Sequence, residues 1–353
     1  MIRLLIVDDS ALMRNLLAQA FYDEGGFEVR LAKNGLEAVE ENRSFQPDVV
    51  TLDINMPELD GIAALSRMMA ERPVPVVMVS SMTAKGAFAT LEALNLGAVD
   101  FIAKPSTTMT KGFKEMCGEL VSKVRGAHGA KLKGPATKGL ASPDQTEQQT
   151  LPGPVAIRDR LPSDGVVLMG ASAGGPRTVG EILQRLPPDL PWPIVVGMHM
   201  PSAFTKSFAE RLNQQCALNV VEAAIPMVLQ PGTVYLAKGG GDIVFTLHGG
   251  SLAVLPKSEN RRYPWHPSLD ILGQSVLEHC EPSRVIGVML TGMGFDGADS
   301  FTEIKKSGGR TIAESESSAV VFGMPAELIQ RGGATVVLPM EKIADQIVEW
   351  VDH

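Results

Sequence analysis

Along the first 123 residues, short apolar runs alternate with longer stretches whose apolar positions recur at helical spacing. The runs are Leu4 to Val7, Phe27 to Leu31, Val49 to Leu52, Val76 to Val79 and Phe101 to Ala103. Regular alternation of strand and helix predicts a parallel sheet with helices on its faces. From about residue 124 to 162 the periodicity disappears, and Gly, Ala, Lys, Gln, Ser and Pro dominate with no aromatic residue. Such a stretch buries too little apolar surface to fold alone and reads as a flexible linker. At residue 163 the pattern resumes. Val166 to Met169 form an apolar run, the turn Gly170-Ala171-Ser172-Ala173-Gly174-Gly175 follows, and then Val179, Ile182, Leu183 and Leu186 mark a helix with Pro176 at its first position. Two further runs, within Trp192 to Met198 and Val285 to Leu290, repeat the strand-then-turn theme. The expectation is an α/β chain: an N-terminal (βα)5 domain over 1–123, a flexible linker over 124–162, and a mainly parallel, doubly wound domain over 163–353.

In parallel sheets the functional crevice lies at the carboxyl ends of the strands, so the residues just after each run carry the candidate chemistry. In the first unit these are Asp8, Asp9, Asp53, Ser80 and Lys104. Carboxylates converging at one edge repel one another unless a divalent cation or a lysine offsets them. Magnesium suits an oxygen shell from Asp9, Asp53 and the backbone carbonyl of Asn55, with Lys104 as the cation on the other side. An aspartate held between a metal and an ammonium is suited to accept a phosphoryl group, a transfer that depends on neutralisation and alignment.

In the second unit the three strand ends carry Ser172, His199 and Asp296, one member each of a serine, histidine and aspartate set. Gly170 to Gly174 fits the G-x-S-x-G elbow, where small neighbours uncover the serine hydroxyl and N–H groups at the helix start face it. Taken alone, the same glycines fit a phosphate cradle in which the serine only caps the helix. Convergence of all three residues on one sheet edge favours nucleophilic catalysis, since triads are recognised by roles and occur in several chain orders. The order serine, histidine, aspartate differs from the serine, acid, histidine order of α/β-hydrolases. Ser202 reads as the cap of a helix carrying Phe204, Phe208 and Leu212.

Composition narrows the class. The 353 residues, 44% hydrophobic and 20% charged, match a globular protein of two domains. A net charge of -8 argues against general nucleic-acid binding. Cys117, Cys216 and Cys280 lie far apart without C-x-x-C spacing, as expected of reduced thiols. With no signal-peptide pattern and no apolar run near the roughly 20 residues of a membrane span, the expectation is a cytoplasmic protein without membrane insertion.

Residues 1–123 resemble the receiver domain of bacterial response regulators, through Val7-Asp8-Asp9-Ser10, Leu52-Asp53-Ile54-Asn55-Met56-Pro57, Asp60-Gly61, Ser80 and Lys104-Pro105. The resemblance implies that Asp53 is the phospho-acceptor, that Asp8 and Asp9 serve the Mg2+ site, and that Lys104 is the phosphate partner. It also implies that Ser80 and Phe101 shift on phosphorylation, although an aromatic residue at Phe101 reads equally as plain core. The second unit resembles the CheB family of chemotaxis methylesterases. The resemblance is carried by Gly170 to Gly175, His199-Met200-Pro201, Pro267-Ser268-Leu269-Asp270, Leu290 to Gly294, Asp296-Gly297-Ala298 and Phe322-Gly323-Met324-Pro325. It implies Ser172 as nucleophile, His199 as base, Asp296 as its orienting acid and the Met293 N–H as oxyanion donor. It further implies methyl-ester hydrolysis and glutamine deamidation on chemoreceptors, a CheA-type histidine kinase as phosphodonor, and no metal for the hydrolysis; a monomer is the working expectation, although the sequence itself does not set the oligomeric state.

Two departures stand out. Ala173 follows the serine where the family usually has threonine, and Ala237-Lys238-Gly239-Gly240-Gly241-Asp242 replaces a block that ordinarily contains proline and ends in histidine. The competing function is a phosphorylation-gated binding module without chemistry; a transcription factor fits poorly, because no compact helix-turn-helix is visible.

Overall fold

The computed structural model describes residues 1–81, 83–104, 111–132 and 165–352. The first unit runs β1 (Ile2–Val7), α1 (Ala11–Glu24), β2 (Phe27–Ala32), α2 (Gly35–Ser44), β3 (Val49–Asp53), α3 (Gly61–Glu71), β4 (Val76–Ser81), α4 (Ala84–Leu96), β5 (Asp100–Lys104) and α5 (Lys111–Ala127). Its five strands form one parallel sheet in the order β2-β1-β3-β4-β5. β3 is buried throughout, as a central strand covered on both faces should be. Ser10, Asn34, Asp60 and Thr83 cap the starts of α1 to α4, each accepting a backbone N–H from the first turn.

The second unit begins with β6 (Val166–Ala171), α6 (Gly175–Leu183), β7 (Ile194–Met198), α7 (Ser202–Gln215) and β8 (Asn219–Ala223). It continues with β9 (Met227–Val228), β10 (Thr233–Ala237), β11 (Asp242–His248), β12 (Ser251–Lys257), α8 (Leu269–His279) and β13 (Val285–Met289). It ends with α9 (Ala298–Lys306), β14 (Arg310–Glu314), α10 (Met324–Gln330), β15 (Val336–Leu338) and α11 (Met340–Val351). Seven strands make a parallel sheet in the order β15-β14-β13-β6-β7-β10-β8, and β11, β12 and β9 form a separate antiparallel sheet. β6 lies in the middle, with β7 on one side and β13 on the other. The chain winds outward in both directions from β6, so a crevice opens at its carboxyl end.

Two expectations need correction. α5 does not fade near residue 123 but continues to Ala127, because Leu120, Val121, Val124 and Ala127 bury one face and Arg125 lies over the Phe27 ring. Beyond it the Lys131 N–H donates to the Val320 carbonyl (3.0 Å), so residues 128–132 are held on the second unit; 133–162 lie outside the described residues. Ser202 is the first residue of α7 rather than its cap, and Pro201 stands at the cap position.

Candidate active site

Ser172 follows β6, His199 follows β7 and Asp296 lies in the turn between β13 and α9, so three neighbouring strands deliver them to one sheet edge. The serine turn is tightly braced. Ser172 donates its N–H to the Thr291 carbonyl (3.0 Å), while the Thr291 hydroxyl donates to the Ala173 carbonyl (2.8 Å). The Thr291 N–H reaches the fully buried Glu314 carboxylate (2.8 Å). Gly174 takes a left-handed φ of 75°, and a Cβ there would lie 2.6 Å from Val320, so only glycine serves.

Asp296 is 2% exposed and surrounded by donors: His199 Nε2 (2.8 Å), the Leu269 N–H (2.7 Å), the Asp270 N–H (3.2 Å) and the Ser268 hydroxyl (3.0 Å). Three of these come from the start of α8, where N–H groups favour an anion. With Nε2 committed to Asp296, the buried Nδ1 of His199 has no hydrogen-bond partner among the described residues. Nε2 is thus the ring nitrogen on the carboxylate, where chymotrypsin uses Nδ1.

The helix-start N–H groups expected beside the serine are taken. Gly174 donates to the Val99 carbonyl of the first unit (2.8 Å) and Gly175 to the Ser172 carbonyl (2.7 Å). Among the described residues the Met293 N–H has no partner. Thr291, Glu314 and Ser268 were missed as supports. Ser268 and Thr291 lie within the stretches Pro267 to Asp270 and Leu290 to Gly294, but nothing local ties Glu314 to a turn more than twenty residues away in the chain.

At the first sheet's edge, ligand atoms of Asp8, Asp9 and Asp53 lie within 4.8 Å of one another. Lys104 Nζ pairs with Asp8 (2.7 Å) and Asp53 (2.9 Å). Burial holds the Asp53 carboxyl above its ordinary range, and Lys104 opposes that shift only in part. Burial also disfavours the Lys104 ammonium, but Asp53 and Asp8 outweigh it and the amine sits above its usual range. A close set of hard oxygen donors in a partly buried pocket fits magnesium. Asn55 follows on the exposed loop, and Ser80 is buried with its hydroxyl on the Gly86 carbonyl (3.3 Å).

The two edges are joined. The Phe101 ring lies 4.6 Å from that of Phe204 on α7, the helix that starts just after His199. A Cβ on Gly126 of α5 would collide with the Met293 sulfur. Ala173, Val320 and Val321 belong to the same buried apolar cluster as Val99 and Ile102, so Ala173 packs between the units.

Residues 167–347 match the family model for CheB methylesterase, and residues 4–111 match that for the response regulator receiver domain. A protein-glutamate methylesterase/protein-glutamine glutaminase of Rhodospirillum rubrum is 48% identical, over all of this chain and 97% of its own length. A relative of the same description from Rhodopseudomonas palustris is 47% identical over 99% of this chain and 98% of its own. The solved CheB methylesterase catalytic domain of Thermotoga maritima superposes with a TM-score of 0.51 at 38% identity, covering 53% of this chain and 98% of that one.

Proposed function

The chain belongs to the CheB methylesterase family, with a response regulator receiver domain ahead of the catalytic one, and on that premise we propose how its residues divide the work. The enzyme is a protein-glutamate methylesterase and protein-glutamine glutaminase, acting on chemoreceptors in chemotactic adaptation. Ser172 Oγ bonds to the γ-carbonyl carbon of a glutamyl methyl ester while its proton passes to His199 Nδ1. The tetrahedral oxyanion takes the Met293 N–H. Its collapse breaks the bond to the methoxy oxygen, which leaves as methanol with the proton from His199. Water, deprotonated by the same imidazole, then cleaves the acyl-serine. Glutamine follows the same route with ammonia leaving. The observation that carries this reading is the buried, unpartnered Nδ1 of a histidine whose Nε2 is held 2.8 Å from Asp296.

The phosphodonor is a kinase, which we assign to the CheA type, and the phospho-acceptor is Asp53. Asp8, Asp9, Asp53 and the Asn55 carbonyl would hold Mg2+, which supplies charge neutralisation during transfer. Lys104 steadies the arriving group, and Ser80 and Phe101 relay its arrival. Without phosphate, the first unit lies against the serine turn through Val99 and against Met293 through Gly126, which we read as a closed arrangement. The linker, proposed to span 124–162 beyond its anchored start, permits opening. A fluorophosphonate should label the full-length protein at Ser172, and Ser172→Ala should take none; undiminished labelling of the alanine variant would move the nucleophile elsewhere.

A further inference from the structure

The segment 258–267, between β12 and α8, carries an aromatic residue onto the catalytic histidine. The Trp265 indole lies nearly parallel to the His199 imidazole, with centroids 5.9 Å apart and an interplanar angle of 11°. Phe295 meets the indole edge-on at 5.0 Å. The segment is fixed from both sides by one buried carboxylate. Asp242 accepts the Asn260 N–H (2.8 Å), the Ser268 N–H (2.8 Å) and His266 Nδ1 (3.0 Å). Ser268 then passes its hydroxyl to Asp296 (3.0 Å), so the anchor of Trp265 and the acid that orients His199 share a residue. Asp242 stands where the family's glycine-rich block ends in histidine, and here the acid faces a histidine, His266.

We propose that Trp265 is a positioning residue for ester hydrolysis, setting the plane of His199 by stacking and stabilising the positive charge the imidazole gains when it takes the Ser172 proton. This rests on the methylesterase reading above. An indole face within about 6 Å of a cation attracts it, typically by about 0.5 to 1 kcal/mol at partly exposed sites. That corresponds to roughly a two- to fivefold effect on a step that creates the cation. The charged groups around His199 are Asp296 at Nε2, Asp270 behind Asp296, the Asp242–His266 pair through Ser268, Glu314 through Thr291, and Arg331 over the Phe295 ring. A change at Trp265 leaves all of them in the chain.

The test is the rate of fluorophosphonate labelling of Ser172 from about pH 5 to 9 in the full-length protein, compared with Trp265→Phe and Trp265→Leu. The phenylalanine variant keeps a π face and is expected within twofold of the parent. The leucine variant should label roughly two- to fivefold more slowly at the plateau, with the acid limb moved to lower pH because the imidazolium has lost support. Should circular dichroism find the leucine variant unfolded, Trp265→Met replaces it. Equal rates and equal acid limbs for the phenylalanine and leucine (or methionine) variants would overturn the proposal while leaving the esterase reading intact. A parent protein that takes no label would overturn both.

Discussion

Asp53 is nearly inaccessible for a proposed phospho-acceptor, and the cost of that burial can be measured. Its carboxyl is held above the ordinary aspartate value of 3.8, so the folded state favours the protonated form. That contribution is fully present below the unfolded-state value and is lost as pH rises through the higher folded-state value. At neutral pH the buried charge therefore works against folding, Lys104 offsetting only part of it. Asp53→Asn should raise the Tm at pH 7 without magnesium, and should abolish phosphoryl uptake as read by mass spectrometry. An asparagine variant less stable than the parent would mean that Lys104 more than repays the burial. His199 is similarly legible: with Nε2 on Asp296, Nδ1 is the ring nitrogen left for the proposed proton transfer from Ser172.

Among the elements, β5 and α7 form a junction between the units, the one through which the proposed regulation would pass. Phe101 at the start of β5 packs on Phe204 of α7, so the residue that read equally as switch or core is buried against the other unit. Phe101→Ala removes that contact at a cost of about 3 kcal/mol or more shared between the two units. Methanol release without phosphodonor should rise several-fold and the response to phosphodonor should shrink, with circular dichroism reporting the fold. An unchanged basal rate with a full response would remove Phe101 from the relay. The parallel strands were legible because buried runs and strand-end residues are local signals, and Ser172, His199 and Asp296 followed from them. The β9-β12-β11 sheet was not, since β11 is only half-buried and β9, which pairs with the other side of β12, is two residues long. The stacking of Trp265 on His199 was equally hidden, because a Pro-Trp-His stretch between β12 and α8 has no period that points to a partner 66 positions earlier.

For the whole molecule, the first unit rests on the serine turn, and on the proposed reading access to Ser172 is an equilibrium between closed and open arrangements. A tenfold activation needs phosphorylation to favour the open one by about 1.4 kcal/mol. A fragment beginning near Leu161 should therefore release methanol faster than the unphosphorylated full chain and ignore phosphodonor; a folded fragment that is no faster would leave the receiver acting by delivery rather than by blocking. The central claim is that Ser172 carries the hydrolysis under the control of phosphate at Asp53. The most direct measurement is initial methanol release from methylated chemoreceptor membranes by the full chain and by Ser172→Ala, each with and without a small-molecule phosphodonor. Release by the parent should quicken with phosphodonor, and the alanine variant should release none in either condition. Near-parental release from Ser172→Ala, or a parent indifferent to phosphodonor, would contradict the claim.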